Sequence, residues 1–302
     1  MNQAVLKPKL RKKTTFPKWD GVRRYASGSA LLSSLIILLI LGTLLVQSGP
    51  AIFSNNLSLL STTWGPTAGQ YGIIPMIFGT LIVMSIAMLI ALPLGVLSAI
   101  YIAETRSDKL RRLLKSSLEV LAGIPSIVYG LIGVAYLSIW VAEGFELQTG
   151  RVILTAGLLL ALMILPTIMT LSEDAISSVS KQYRENAASL GLYHYEVIKD
   201  IVLPMAKADI AGAALLALGR ALGETMAVML VIGSLDRLPS PLFNVLSSSQ
   251  TITSKLGREI AESAFGSIHF SILVLMSLIL VAFTLILTIA AQKLFNKESL
   301  HA

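Results

Sequence analysis

The stretch Glu185-Asn-Ala-Ala-Ser-Leu-Gly191, then Ile201-Val-Leu-Pro204, then Gly219-Arg220-Ala-Leu-Gly223-Glu224-Thr225 decides how this chain is read. Its first half is a polar loop lying between long apolar segments. Its second half is an apolar segment that carries an arginine and a glutamate four residues apart. A loop suited to being gripped by another protein is thus followed, within one segment, by charge inside a membrane.

Composition sets the class. Of the 302 residues 54% are hydrophobic and 14% charged, where a soluble domain carries roughly 25% charged residues. The mean hydropathy is +0.76. Several windows of about 20 residues lack charge, enough to cross a ~30 Å hydrocarbon core as helix, and the short alternating segments of a membrane barrel are not seen. The chain has no cysteine, which excludes disulfides and thiolate metal sites. Its three histidines are scattered and form no metal-binding cluster.

Six spans follow, at about 29–47, 75–103, 118–141, 152–171, 208–233 and 269–291. The first could be a secretory leader, but its preceding polar stretch is long and no small-residue cleavage pattern follows, so it is read as an uncleaved span. Most of the 24 Lys and Arg lie in the two tails and in the loops 104–117 and 172–207. The positive-inside rule then places both termini and the 185–204 loop in the cytoplasm. The net charge of +7 is mainly a topology signal rather than a mark of nucleic-acid binding. The resulting organisation is a basic tail over 1–28, a first transmembrane helix over 29–47 at the periphery, a core over 70–292 with a loop 183–204 inside and 234–268 outside, and a tail over 293–302. Small residues such as Gly79, Gly130, Gly133, Gly212, Gly219 and Gly223 predict close helix approach. Pro93, Pro125 and Pro166 predict kinked or broken spans.

The loop predicts a helix–turn–helix elbow. Residues 173–190 are expected to be helical up to Gly191, which takes a left-handed cap cheaply. Tyr193 to Ile201 is expected to form a second short helix, which Leu203-Pro204 stops. Glu185, Ala187, Gly191, Ile201, Leu203 and Pro204 resemble, at every spacing, the "EAA" motif of ATP-binding-cassette (ABC) importer permeases. Asn186 departs from the alanine usual there. The resemblance implies that Glu185, Asn186, Ala187, Gly191, Ile201, Leu203 and Pro204 form a coupling helix that docks into an ATPase subunit.

Arg220 is expected near mid-span, where an arginine is costly, and Glu224 on the same helix face. Two readings stand: a buried ion pair that fixes packing, or an arginine that attracts an anion in a translocation path, with Glu224 holding or releasing it. A guanidinium suits a tetrahedral oxyanion because it offers paired donors in a planar fork. Ser126, just after Pro125, is expected to present donors to the same path or to serve packing, and Thr225 is placed on the path beside Glu224.

Gly219-Arg-Ala-Leu-Gly-Glu-Thr-Met-Ala-Val228, with Ala91-Leu-Pro93-Leu-Gly95, Ala122-Gly-Ile-Pro125-Ser-Ile-Val-Tyr-Gly130 and 251–262, resembles phosphate-specific transport permeases, closest to the C-type (PstC-like) subunit. The resemblance implies an all-α type I importer fold. It also implies import of inorganic phosphate by alternating access, an A-type permease partner, two copies of a P-loop ATPase, an outer phosphate-binding protein and a bacterial inner-membrane location. ATP and Mg belong to the partner ATPase; no cofactor is expected on this chain, and no GxxxxGK[ST] occurs in it. Alternatives in the same superfamily are an A-type phosphate permease or a sulfate- or molybdate-type permease. A membrane enzyme using Glu224, Glu173 and His194 would need residues from a loop and a span to converge. A lone secondary transporter would need no elbow, and no inverted repeat is evident. Residues 251–265 are expected to form a surface helix in the outer loop that touches the binding protein, with Lys255, Arg258, Glu259 and Glu262 off its apolar face.

Overall fold

The computed structural model describes residues 20–54, 59–105 and 107–299, with side chains described to residue 290 except those of 20, 21 and 108. Most of the basic tail expected over 1–28, Arg106, and the side chains of Lys293 and Lys297 lie outside the described residues. Six helices are long and apolar enough to cross a membrane among the described residues.

Residues 1–46 and 47–302 form two units. The first holds most of helix α1, Asp20–Phe53, whose side chains from 22 to 40 are all exposed. It is already helical at Asp20, the first described residue, ahead of the apolar run expected to open at 29.

The second unit begins with a small hairpin, β1 Trp64–Gly65 paired with β2 Gln70–Tyr71. Its centre is α2 Ile74–Glu104 packed along α6 Ile153–Ser178 and α9 Leu203–Gly223. Small residues bring α2 and α6 together. A Cβ on Gly157 would come within 2.6 Å of Ile86 Cγ2, and one on Gly95 within 2.6 Å of Ile168 Cγ2. Pro93 and Pro166 lie inside α2 and α6 without ending them.

Pro125 does end a helix, and the third span differs from the expected 118–141. Helix α3, Asp108–Gly123, is a separate amphipathic element. Ile124 and Pro125 are extended, at ψ 129° and 138°, as the residue before a proline and a proline at a helix entrance require. The span then runs from Ser126 through α4 Ser126–Ile132, a π-helical stretch Gly133–Leu137 and α5 Ser138–Gly144. The Tyr129 hydroxyl reaches back across the break and donates to the Leu121 carbonyl at 2.9 Å.

The fourth span continues past the expected residue 171 to Ser178, so Glu173 belongs to α6 and not to a loop. The elbow helix is therefore interrupted at 179–180. The Ser180 hydroxyl caps α7, Lys181–Ser189, by accepting from the Gln182 N–H at 3.3 Å. Gly191 has φ +88°, the left-handed turn expected of it, and the Leu192 N–H closes onto the Ala187 carbonyl at 3.3 Å.

The largest departure is at Pro204. It does not stop the second arm. The turn α8 His194–Glu196, a π-helical stretch Val197–Val202 and α9 form one helical run from His194 to Gly223. Pro204 has no N–H and sits in the first turn of α9, where none is needed. The wider π turn ahead of it accommodates the ring. The span breaks instead at Glu224-Thr225, before α10 Met226–Val231, so the expected continuous helix 208–233 is two helices.

At the end remote from the elbow, the segments either side of α6 and α10 are tied together. The Ile153 N–H donates to the Ser247 carbonyl at 3.0 Å, and the Ser248 hydroxyl to the Arg151 carbonyl at 2.7 Å. Helix α11, Ile252–Glu259, is capped by Thr251 and buries Ile252 to Lys255. It packs with α12, Ile268–Ser299, in a cluster that includes Tyr71, Met76, Ile272 and Met276.

Candidate translocation site and coupling elbow

Arg220 lies in the last turn of α9, just before the break. Its Nη1 donates to Thr167 Oγ1 at 3.1 Å. Thr167 is near the middle of α6, so the guanidinium is held at mid-depth of that span. Among the described residues Arg220 makes no ion pair, and Thr167 is its one hydrogen-bond partner.

The ion pair with Glu224, one of the two readings, is not formed. The i,i+4 geometry needs unbroken helix, and Glu224 is extended, at ψ 123°. Its carboxylate accepts from the Ala227 N–H at 3.1 Å and so holds the entrance of α10. Its carbonyl accepts from the Thr253 hydroxyl of α11 at 2.8 Å. Thr225 Oγ1 donates to the Gly223 carbonyl at 3.3 Å. A Cβ on Gly257 of α11 would lie 2.8 Å from Thr225 Cγ2. The break that presents Arg220 is therefore shaped by the segment expected to be a surface helix.

That segment is corrected in a second respect. Lys255, expected off the apolar face, is only 1% exposed. Its ammonium pairs with Asp236 at 2.6 Å and Glu259 at 2.5 Å and stands 4.7 Å above the Trp64 ring. His269 Nε2 lies 3.4 Å from Glu259. Lys255 is internal and its carboxylate partners are half-buried, so the cluster ties α11 to α12, to the hairpin and to the chain after α10, while Arg258 and Glu262 are exposed as expected.

Ser126 opens α4 and is half-buried. One turn on, half-buried Tyr129 spans the Pro125 break with its hydroxyl on the Leu121 carbonyl. Tyr129 stands in the quoted Pro125–Gly130 motif, and its hydroxyl was the available signal. Gly130 lets α4 and α10 meet: a Cβ there would lie 3.0 Å from Ala227 Cα. Gly212, Gly219 and Gly223, expected at close helix contacts, meet nothing within 4 Å. An open cleft of about 810 Å³ lies beside the first two, lined by Asp174, Asp209, Gly212, Gly219 and Thr288 among others.

At the elbow, Ala187, Val197 and Val202 are buried against Ala99, Ala175 and Ile176 of α2 and α6. Ile201 and Leu203 pack on the same cluster. Arg184 pairs with Glu104 of α2 and donates to the Ile176 carbonyl at 3.0 Å, while His194 lies 3.4 Å from Glu104. Glu185, Asn186, Gly191 and Pro204 are exposed. Beside them Tyr183, Leu190, Tyr193 and Tyr195 are exposed too, with Tyr193 and Tyr195 stacked at 6.2 Å. From the sequence, Tyr193 is the expected start of the second short helix and Tyr195 a part of it, while Tyr183 is not singled out.

A further charged centre joins α3 to α6. Glu173 is fully buried (0% exposed) and pairs with both Arg111 and Lys115. Arg111 also donates to Ser177 Oγ at 2.7 Å, and Ser177 donates to Glu173 at 2.8 Å. Burial alone pulls the Lys115 ammonium down, but hydrogen bonds and charge from Glu173 and Asp174 more than offset this and raise its pKa. The i,i+4 spacing of Arg111 and Lys115 was the available signal, hidden because both were counted as loop charges. His194, Glu173 and Glu224 occupy the elbow, the α3–α6 clamp and the helix break, and do not form one centre.

The model of the family described as "Binding-protein-dependent transport system inner membrane component" matches residues 91–298, and the chain belongs to that family. Its fold is that of type I ABC importer permeases. A bacterial alginate ABC transporter in complex with its alginate-bound periplasmic protein superposes over 91% of this chain and 95% of its own, with TM-score 0.60 and 16% identity. The inward-facing MetNI methionine ABC transporter covers 78% and 99%, with TM-score 0.57 and 14% identity. In sequence the chain is 36% identical to the "Phosphate transport system permease protein PstC" of Mesorhizobium japonicum, over 92% of this chain and 93% of that one. The protein of the same name in Haemophilus influenzae is 35% identical over 89% and 90%. The probable ABC transporter permease YqgH of Bacillus subtilis is 33% identical over 80% and 77%.

Proposed function

We propose that this chain is the C-type permease subunit of an ATP-driven importer that carries inorganic phosphate into the cytoplasm. The observation that carries the reading is Arg220, a guanidinium at mid-depth of a span, beside a helix break, unpaired by carboxylate among the described residues. An unpaired arginine there is costly unless an anion visits it, and a tetrahedral oxyanion fits its fork of donors. Similarity to two proteins named as phosphate permeases supports phosphate as that anion.

In this reading the elbow faces the cytoplasm with both termini, and its exposed Leu190, Tyr193 and Tyr195 dock into a groove of one of two P-loop ATPase subunits. ATP hydrolysis belongs to those subunits. An A-type permease lies alongside and completes the path. An outer phosphate-binding protein delivers substrate to the end where α11 sits. ATPase closure moves the elbow, and the helical run His194–Gly223 carries that movement to Arg220. Arg220, Glu224, Thr225 and Ser126 line the path, and Tyr129 joins them.

The test is phosphate uptake and ATP hydrolysis in liposomes that hold the full complex, wild type against Arg220→Gln. Uptake is lost while the complex still assembles if Arg220 is on the path. Uptake that survives overturns the assignment.

A further inference from the structure

We propose that helix α3 is a recognition surface for anionic phospholipid headgroups on the elbow side of the membrane. The proposal rests on the chain's membrane topology and not on the identity of the substrate. Helix α3 opens four residues after α2 ends, and two residues separate its end from Ser126, which opens the next span. It is thus tied at both ends to membrane-crossing helices and lies at their elbow end.

Its two faces do different things. Arg111, Leu114, Lys115 and Leu118 recur at helical spacing and turn inward, the charges to Glu173 and the leucines to Ile102 and Met169. The opposite face carries Lys109, Leu113, Ser116 and Val120, with Arg112 and, two turns on, Glu119 beside them, and all six are exposed, leaving the N-terminal half of this face cationic. Among the described residues neither Lys109 nor Arg112 makes a salt bridge.

Exposed leucine and valine interleaved with cations have a definite partner chemistry. An interfacial helix sinks its apolar side chains to the acyl boundary and lets lysine and arginine reach the headgroups. Two outward cations on one turn complement phosphate diesters that carry net negative charge and gain little from zwitterionic lipid. The same helix is clamped to α6 by Arg111 and Lys115, so a bound anionic headgroup holds α3 in place from outside while Glu173 holds it from inside.

The chain has no native cysteine, so one introduced thiol is unique within it. The experiment places a fluorophore at Ser116→Cys in the complete complex, its other subunits cysteine-free, in vesicles of phosphatidylcholine with one-third phosphatidylglycerol. Quenching is compared between brominated phosphatidylglycerol and brominated phosphatidylcholine at equal total composition. The expected result is stronger quenching by the anionic lipid, an enrichment of about fivefold per cation, which falls to parity in Lys109→Gln with Arg112→Gln. Equal quenching by both lipids in the unsubstituted background overturns the proposal. So does quenching by neither, since it means that a protein partner covers this face. Phosphate uptake measured in the same vesicles reports separately on the transport reading.

Discussion

Arg220 on α9 and Thr167 on α6 are joined by a hydrogen bond of 3.1 Å from guanidinium to hydroxyl. The arginine is therefore aimed by a neighbouring helix, and Glu224, one turn further along the chain, is occupied with the N–H of Ala227.

Thr167→Val removes the acceptor and keeps the shape of the side chain. Hydrogen bonds to charged groups contribute about 1.5–3 kcal/mol, so initial phosphate uptake below saturation is expected to fall about tenfold or more, with unchanged yield of complex. Thr167→Ser restores most of it. Wild-type uptake in the valine variant would show that Thr167 does not position Arg220.

Glu224 is tested by two substitutions that separate charge from capping. Glutamine retains an acceptor for the Ala227 N–H, while alanine loses it at a cost of about 1 kcal/mol. If the charge matters to transport, Glu224→Gln loses uptake and keeps its thermal midpoint. If the carboxylate only shapes the break, Glu224→Gln matches wild type and Glu224→Ala alone is impaired.

The α3–α6 clamp should respond unequally to loss of its two signs. Arg111 and Lys115 are about a third exposed while Glu173 is fully buried. Removing both cations strands a buried carboxylate, at about 3–5 kcal/mol. Glu173→Gln leaves cations that water can reach, at about 1–3 kcal/mol. Thermal unfolding of the two variants measures the order, and the reverse ranking would contradict the geometry.

Lys115 adds a pH dependence. Its folded pKa lies above the ordinary 10.5, so folding favours the charged ammonium. That stabilisation is complete below pH 10.5 and is lost as pH rises through the raised value. The thermal midpoint of wild type should therefore approach that of Lys115→Met only in strong alkali. A difference between the two that stays constant through that range would refute the assignment.

Lys255→Met leaves Asp236 and Glu259 facing one another without their shared cation. A loss of about 3–5 kcal/mol is expected, together with loosening of α11. Hydrogen exchange across 252–259 should quicken in this variant, and unchanged exchange there would mean that the leucine and isoleucine contacts hold the helix unaided.

Much of this was legible from composition and spacing. The spans follow from apolar length and the helix–turn–helix elbow from Glu185 to Gly191, while the candidate site is proposed from one arginine in an apolar run. What escaped is what distant residues impose. Nothing local marks the break at Glu224-Thr225, because Thr253 and Gly257 fix it from α11. Lys255 looked solvated because its partners Asp236, Trp64 and Glu259 come together only in the fold. Pro204 looked like a stop, and the π turn before it carries the helix through. Glu173 looked like loop charge until α6 extended to Ser178.

The run from Leu203 to Gly223 is an unbroken helix of about 31 Å. Two residues, Glu224 and Thr225, separate it from α10, and α11 holds them through Thr253 and Gly257. In the proposed reading this makes the helix a lever with its fulcrum at those two residues, so that a tug on the elbow arrives at the end where α11 sits whether or not an anion is aboard. On that reading an empty carrier would tell its binding protein what its ATPase has done.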